Sequence, residues 1–319
     1  MKEAHHTHSP APKWLPVAAL FGVSVIWGGT FVWMKEGLDV IASRLGPGGR
    51  TSGLLLFLGL RFALAAVCVL AISRSARTRL SRDAWRGGLW LGALLLAGFT
   101  LQMFGLTAIS PAVSAFLTSL YVLFTALMTA VITKKGLRAP LAIGAVLATI
   151  GAGVLRGRPE LGFTAGELLT VGAAFVFAVH ILTTDRVTKR VDPMAVTFTS
   201  LVVVAVGSGV LFALAQLDRS APSAAQLVGL LSAREFLVPL ALMTTLGTVV
   251  ALSCMNLFQR EIDPVRAAIL YALEPIWATF FGLAAGLDRL TPWLWVGGSI
   301  LLAGNLFAEL GLKLRRPRA

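Results

Sequence analysis

Four hydroxyl side chains recur along one apolar run at helical spacing. Ser114, Thr118, Tyr121 and Thr125 follow steps of four, three and four residues, which places them on one face of a helix. A hydroxyl face is poorly placed against lipid, so we expect it to turn toward neighbouring helices or a wet cavity. Two interpretations stay open, because such residues serve helix packing as well as they line a substrate path.

A carboxylate lies about halfway along another apolar run. Glu274 at this depth is costly if it is charged and faces lipid. Pro275 follows it, so the carbonyl of Tyr271 is predicted to lose its helical partner and the helix to kink. Glu274 is either a cavity carboxylate that binds a cationic group or titrates, or a structural acid bonded to a neighbouring helix.

Two basic side chains also fall inside apolar runs. Arg61 has no acidic residue one helical turn away, so its guanidinium needs carbonyls, water or a carboxylate. It holds a substrate carboxylate, or it snorkels to the outer surface or pairs with Glu274. For His180 we expect a neutral imidazole bonded to a neighbouring carbonyl, with proton relay or substrate contact as the alternative.

Amides and aromatic rings complete the candidate cavity residues. Gln102 and Asn256 carry amides that either bridge helices or bind a substrate, and interhelical bonding is the simpler interpretation. The candidate aromatic walls of a cavity are Trp27, Tyr271 and Trp277.

The elements that position these residues follow from composition. The chain is 56% hydrophobic and 13% charged, with a mean hydropathy of +0.81, whereas soluble domains carry about 25% charged residues. Apolar runs near the length of a membrane-spanning helix recur throughout, so the sequence predicts an all-α polytopic membrane protein. The ten predicted spans are 14–34, 52–72, 85–106, 111–132, 140–155, 166–184, 193–216, 236–258, 264–287 and 292–312.

The positive charge is distributed by side of the membrane. The net charge of +13 comes from clusters between apolar runs and not from one polar face, which argues against nucleic-acid binding. Most Lys and Arg fall in alternate connecting segments, including the one with Arg74 and Arg86. The positive-inside rule therefore predicts that both termini are cytoplasmic.

The two halves of the chain repeat at an offset of 153 residues. Five predicted spans per half is an odd number, so equivalent helices would run in opposite directions. Such an inverted repeat is typical of transporters with a substrate site near the midplane. The predicted organisation is a tail (1–13), two five-helix repeats (14–157 and 158–313) and a basic tail (314–319). The aligned pairs are Ile109 with Ile262, Pro111 with Pro264, Ala115 with Ala268, Leu120 with Leu273, Gly144 with Gly297, and Gly151 with Gly304.

Over nearly its whole length the sequence resembles the drug/metabolite transporter superfamily, specifically its ten-helix EamA-type permeases. The resemblance implies an inner-membrane carrier with a central cavity shared by the halves, often an exporter of amino acids or related metabolites. It does not fix the substrate. The strings that carry it are VIWGGTFVWMK (Val25–Lys35), RFALAA (Arg61–Ala66), SAFLTSLYVLF (Ser114–Phe124), HILTTDR (His180–Arg186) and PVRAAILYALEPIWA (Pro264–Ala278).

The expected function is secondary transport of a small metabolite by alternating access, with protons as a candidate coupling ion. HExxH, GxSxG and Walker A motifs are missing from the sequence, so neither an enzyme nor a cofactor or metal is predicted. An antiporter of phosphorylated metabolites or nucleotide sugars would need several basic side chains near the middle of the membrane. Arg61 is the one Lys or Arg that lies well inside a predicted span. A membrane-embedded enzyme and a scaffold or receptor subunit are the remaining alternatives.

Overall fold

The computed structural model describes residues 14–134, 139–154, 163–218, 220–262, 267 and 270–313. Within these residues the regular structure is helical and no strand occurs, which confirms the all-α prediction. The predicted tails and the repeat positions Pro264 and Ala268 lie outside the described residues. In the first half the helices are α1 (Leu15–Ile72), α2 (Arg74–Thr78), α3 (Arg82–Leu106), α4 (Pro111–Thr118), α5 (Leu120–Ile132) and α6 (Ala139–Val154).

The second half follows the same pattern of long apolar helices with shorter pieces between them. A π-helical turn, Thr245–Val250, joins α10 to α11, and a short 3-10 turn, Gln259–Glu261, follows α11. The helices are α7 (Ala165–Thr188), α8 (Pro193–Ala215), α9 (Ala224–Leu231), α10 (Arg234–Thr244), α11 (Ala251–Phe258), α12 (Glu274–Ala284) and α13 (Pro292–Lys313).

The first helix is too long for a single crossing. Its 58 residues would extend about 87 Å, against a hydrocarbon thickness of about 30 Å. Gly46 interrupts it with φ 66° and ψ −172°, a conformation that only glycine adopts readily. The predicted spans 14–34 and 52–72 both lie in α1. The segment between them is helical apart from Gly46, because its buried side chains Leu38 and Ile41 pack in the core.

Six helical stretches are long and apolar enough to cross a membrane, and two shorter apolar helices accompany them. Their outer surfaces carry large apolar side chains, as at Trp90 and Val67, which are 69% and 65% exposed. The chain is therefore a multi-pass membrane protein. The six are Leu15–Ile72, Arg82–Leu106, Pro111–Ile132, Ala165–Thr188, Pro193–Ala215 and Arg234–Glu261, and the shorter two are Ala142–Val154 and Pro292–Phe307.

Side-chain caps fix several helix starts. Ser81 and Ser110 accept a hydrogen bond from the backbone at the starts of α3 and α4, and Thr164 forms a capping box with Glu167 at the start of α7. Asp192 caps α8 in the same way. These caps satisfy backbone N–H groups that have no partner within the first turn of each helix.

Helix packing brings the two halves against each other. Helix α3 packs against α7 and α8, α1 packs against α8, α10 and α12, and α6 packs along α13. At the last contact Gly151 lies against Gly297 and Leu301, while Gly304 lies against Gly144. As residue numbers rise along α6 they fall along α13, so these two helices are antiparallel.

Candidate functional site

A central cavity lies between the two halves, with about 60 Å³ of interior space for the centres of water-sized spheres. This volume is below the usual range for small-molecule sites, about 300–1,000 Å³. Its lining combines an apolar wall with polar side chains from both halves. The predicted residues that line it are Trp27, Arg61, Gln102, Thr118, Tyr121, His180 and Glu274.

Glu274 and Tyr121 meet across the interface of the halves. The phenol of Tyr121 donates to Glu274 Oε2 at 3.3 Å, and the two residues are 153 positions apart. Both are buried. A structural acid would make such a bond to a neighbouring helix, and a cavity carboxylate would line the cavity, as Glu274 does. The position of Glu274 is therefore consistent with both interpretations.

Each member of this pair follows an interruption in its helix. Ser119 separates α4 from α5, and Ala272 and Leu273 form a turn before α12. The second break was predicted, because Pro275 cannot donate a helical hydrogen bond. The first has no Gly or Pro signal. There Asn305 of α13 donates to both the carbonyl and the hydroxyl of Ser119, which satisfies backbone polarity that lipid could not.

Arg61 is buried in the cavity wall and is only 1% exposed. Its Nε donates to Thr248 Oγ1 at 2.6 Å, and its guanidinium lies over the rings of Phe62 and Phe99, 4.9 and 4.5 Å from their centroids. Its Nη1 has no hydrogen-bond partner. Among the described residues no acid forms an ion pair with it, Glu274 included. The snorkelling and Glu274-pairing alternatives are both wrong.

Two other polar residues face the same space. Gln102 donates to Thr118 Oγ1 at 3.2 Å, which joins α3 to α4. His180 is buried and lines the cavity, but it makes no hydrogen bond to a carbonyl within the described chain. The predicted carbonyl bond of His180 is therefore wrong, since the ring turns toward the cavity.

Two of the predicted residues in the second half, Asn256 and Tyr271, do not line the cavity. Asn256 donates to Thr197 Oγ1 at 2.7 Å and so joins α11 to α8. Tyr271 packs on the Trp27 ring at 5.3 Å between centroids and donates to Gln259 Oε1. Tyr271 thus supports a lining residue, while Asn256 joins two helices.

Trp277 and Ser114 also stand outside the lining. Trp277 makes an edge contact with Phe21, and its Cβ presses against Gly28 of α1. Ser114 is fully buried and its hydroxyl has no partner. Of the four hydroxyl residues predicted to share a face, Thr118 and Tyr121 reach the cavity.

Seven residues of the cavity lining were not predicted. Helical spacing offers a signal for three of these residues: Thr30 lies three positions after Trp27, Phe99 three before Gln102, and Phe177 three before His180. The missed residues are Thr30, Leu95, Phe99, Phe177, Ile181, Leu252 and Met255.

A charged pair lies just after the first predicted span of each half. Lys35 Nζ lies 3.7 Å from Asp39 Oδ1 and donates to the carbonyl of Leu106 at 3.1 Å. In α7, Lys189 Nζ lies 2.7 Å from Asp185 Oδ1. The pairs have the same four-residue spacing with their signs exchanged.

Asp288, just after α12, links the second half to the first. Its Oδ2 accepts the backbone N–H of Ala112 at 3.0 Å, at the start of α4. Burial raises the pKa of the Asp288 carboxyl, and bonds from Ser110 and Ala112 and the nearby charge of Lys35 oppose that rise. Within the described chain no group of three His, Cys, Asp or Glu comes together as a metal site would require.

Comparisons with known proteins agree with this architecture. The model of the EamA-like transporter family matches twice, over residues 14–157 and 164–309. A curated protein of Archaeoglobus fulgidus named "Uncharacterized transporter" is 24% identical over 289 residues, which cover 90% of this chain and 83% of that protein. A crystal structure with 19% identity superposes with a TM-score of 0.62 over 96% of this chain and 100% of its own. At that identity the structure supports the fold alone.

Proposed function

The chain belongs to the EamA-like transporter family, and we propose that it exports a small organic solute, an amino acid or a related metabolite, across the cytoplasmic membrane. In this proposal it is a secondary carrier that works by alternating access through the central cavity, with both termini cytoplasmic. The observation that carries the proposal is the buried Arg61, whose Nη1 lacks a partner in a largely apolar cavity.

A guanidinium in this state favours a ligand carboxylate. Aromatic rings and one hydroxyl surround Arg61, and they leave its positive charge uncompensated. A buried charge is costly unless it is paired, and a carboxylate would both supply the opposite charge and accept the free hydrogen bond of Nη1. Arg61 therefore supports selection for carboxylated solutes.

Glu274 supplies the opposite charge in the same cavity. Its Oε2 accepts from Tyr121, which leaves the rest of the carboxylate available to a bound ammonium group or a proton. A solute with both a carboxylate and an ammonium group would engage both residues. The apolar side chains of the same lining, such as Phe177 and Met255, favour a hydrophobic side chain on that solute.

The placement of the helices supports an inverted repeat of ten spans. The breaks at Ser119 and Ala272 are separated by the same 153 positions as Tyr121 and Glu274. The antiparallel course of α6 and α13 is the relation that inversion demands of the last helix in each half. Discontinuous helices at corresponding positions are typical of transporters whose site lies between repeats.

Exchange of phosphorylated metabolites is the second candidate, and the cavity lining weighs against it. A phosphate group carries about two negative charges at neutral pH, and several basic side chains would be needed to replace its water. Within the described residues Arg61 is the one Lys or Arg of the lining. A pure scaffold would have no use for a cavity between its halves that is lined by Arg61 and Glu274.

Flux into liposomes tests the proposal. Purified protein is reconstituted and challenged with leucine, isoamylamine, 4-methylpentanoate and glucose 6-phosphate, each labelled, with and without a proton gradient. Empty liposomes provide the background. We expect leucine flux above background and none for glucose 6-phosphate. Counterflow of the sugar phosphate alone would favour the antiporter, and no flux across a wider panel of amino acids would favour the scaffold.

Direction is tested in cells. Cells that overproduce the protein, loaded with a leucine dipeptide that they hydrolyse, should release leucine faster than cells with an empty vector. Equal release combined with faster uptake of external leucine would contradict the export part of the proposal.

A further inference from the structure

The π-helical turn Thr245–Val250 lies beside Arg61, between α10 and α11. π turns insert a residue into a helix, shift the side chains that follow and occur frequently at functional sites. Here the inserted geometry lets Thr248 Oγ1 donate to the carbonyl of Met243, five residues earlier, at 2.8 Å. A hydroxyl has one proton to donate, so Thr248 can act toward Arg61 only as an acceptor.

Side chains of α1 hold this turn in place. Trp27 Nε1 donates to the carbonyl of Gly247 at 3.4 Å. Thr30 packs so closely on Gly247 that an added Cβ would lie 2.7 Å from its methyl group. Trp27 and Thr30 line the cavity themselves. The turn therefore has fixed contacts on the cavity side, and Thr248 has a defined position.

We propose that Thr248 is a positioning residue, which holds the Arg61 guanidinium so that Nη1 faces the ligand carboxylate. The bond to Nε fixes the guanidinium edge, and Phe62 and Phe99 fix its plane. A planar guanidinium anchored at one edge and stacked on two rings has its remaining donors oriented before a ligand arrives. Preorganisation of this kind lowers the entropy cost of binding.

This role extends the proposed function, since it assumes that the ligand of Arg61 is a carboxylate. The hydrogen bond between Arg61 and Thr248 also joins the two halves, because Arg61 belongs to the first half and Thr248 to the second. The carboxylate site would be assembled by both halves together, although its charge comes from one.

Three variants separate positioning from general packing. Thr248→Val keeps the side-chain shape and removes the acceptor. Thr248→Ser keeps the acceptor and should restore wild-type behaviour. Thr245→Val is the matched control, because the exposed Thr245 belongs to the same turn and its hydroxyl donates to the carbonyl of Ala241 instead of facing Arg61.

The first measurement needs no ligand. In protein labelled with ¹⁵N-arginine, the Nε–H signal of Arg61 is assigned by its absence in Arg61→Lys, and its hydrogen exchange is followed. Thr248→Val should accelerate exchange about tenfold, as loss of one hydrogen bond to a charged group predicts. Thr248→Ser and Thr245→Val should leave it unchanged. Equal exchange in all four proteins would overturn the proposal.

The second measurement is binding of 4-methylpentanoate and isoamylamine, which share an apolar tail and differ in their charged group. Thr248→Val should weaken 4-methylpentanoate binding about tenfold and leave isoamylamine binding unchanged. Equal weakening of both probes, or of neither, would overturn the positioning role. If wild-type protein binds neither probe, the proposed substrate class fails, while the exchange experiment still decides whether Thr248 holds Arg61.

Discussion

At the scale of single residues, Arg61 is the side chain whose burial most needs an explanation. Its charge is buried among rings with one neutral hydrogen-bond acceptor, an arrangement that is unfavourable without a counter-charge. Glu274, the acid in the same cavity, bonds Tyr121 instead. The two side chains therefore do not pair with each other, and each keeps hydrogen-bonding capacity for a ligand.

Arg61→Gln should discriminate between ligands by their carboxylate. Loss of a charge-assisted hydrogen bond costs about 1.5–3 kcal/mol, so the half-saturation concentration for leucine and 4-methylpentanoate should rise about tenfold or more. Isoamylamine serves as the internal control, because it lacks the carboxylate. Flux is compared at matched amounts of folded protein, judged by size-exclusion profile. Equal losses for all three solutes would indicate damage to the fold, and no loss would remove Arg61 from the site.

Glu274→Gln should abolish a pH dependence of leucine flux. The ionised carboxylate attracts an ammonium group and the protonated one does not, so wild-type flux at low leucine concentration should fall as the pH falls. Glutamine keeps the shape and cannot titrate. Tyr121→Phe is the control, since it removes the hydrogen bond and leaves the carboxyl group, and its flux should stay pH-dependent. A wild-type rate with an unchanged pH profile in Glu274→Gln would favour the structural interpretation.

Much of the cavity lining was predictable from residue type, because a charged or amide group inside an apolar run must find a polar neighbour. Where that neighbour is another helix, the same signal misleads, as at Asn256, which bonds Thr197. Leu252 and Met255 face the cavity in its place. The π turn that precedes α11 adds to the difficulty, because it rotates the following face relative to a regular helix.

At the scale of elements, glycine decides how closely helices approach. Gly151 of α6 lies against backbone atoms of Leu301 and Gly297 in α13. An added methyl group would therefore meet atoms that cannot rotate away. Gly153, two positions further along, has nothing within 4 Å of an added Cβ.

Gly151→Ala should therefore destabilise the protein, and Gly153→Ala should not. Overpacking costs about 1–3 kcal/mol, whereas alanine in an open helical position gains about 0.5–1 kcal/mol over glycine. Thermal unfolding in detergent should show a lower midpoint for the first variant and an equal or higher one for the second. The same shift in both variants would mean that helix propensity, and not contact with α13, sets the stability of α6.

The elements themselves were largely predictable, since a span needs about 20 apolar residues and the sequence shows where these runs fall. Interruptions within them were predictable only where the sequence has a breaker. Pro275 marks the turn before α12, but Ser119 interrupts the fourth predicted span where there is neither Gly nor Pro, and the break is stabilised by Asn305 from a distant helix. That contact depends on tertiary packing, which local sequence does not reveal.

At the scale of the whole molecule, the distribution of Lys and Arg and the inverted repeat should predict the same membrane topology. Ser81 lies within the basic segment between Arg74 and Arg86, and Ser220 follows α8; both are exposed. In the proposed ten-span topology five spans separate them: α3, α4 with α5, α6, α7 and α8. An odd number of crossings places the two serines on opposite sides, and the positive-inside rule assigns Ser81 to the cytoplasm.

Single cysteines at these two sites test both statements together. On a background in which Cys68 and Cys254 are replaced, an impermeant thiol reagent applied to intact cells should label Ser220→Cys and not Ser81→Cys. After permeabilisation both should react, which controls for reactivity and expression. The reverse pattern would keep the odd number of crossings and overturn the orientation, exchanging the inner and outer ends of the cavity. Labelling of both sites on intact cells would mean an even number of crossings between them. An inverted repeat with five spans in each half would then be excluded, and alternating access would need a different structural basis.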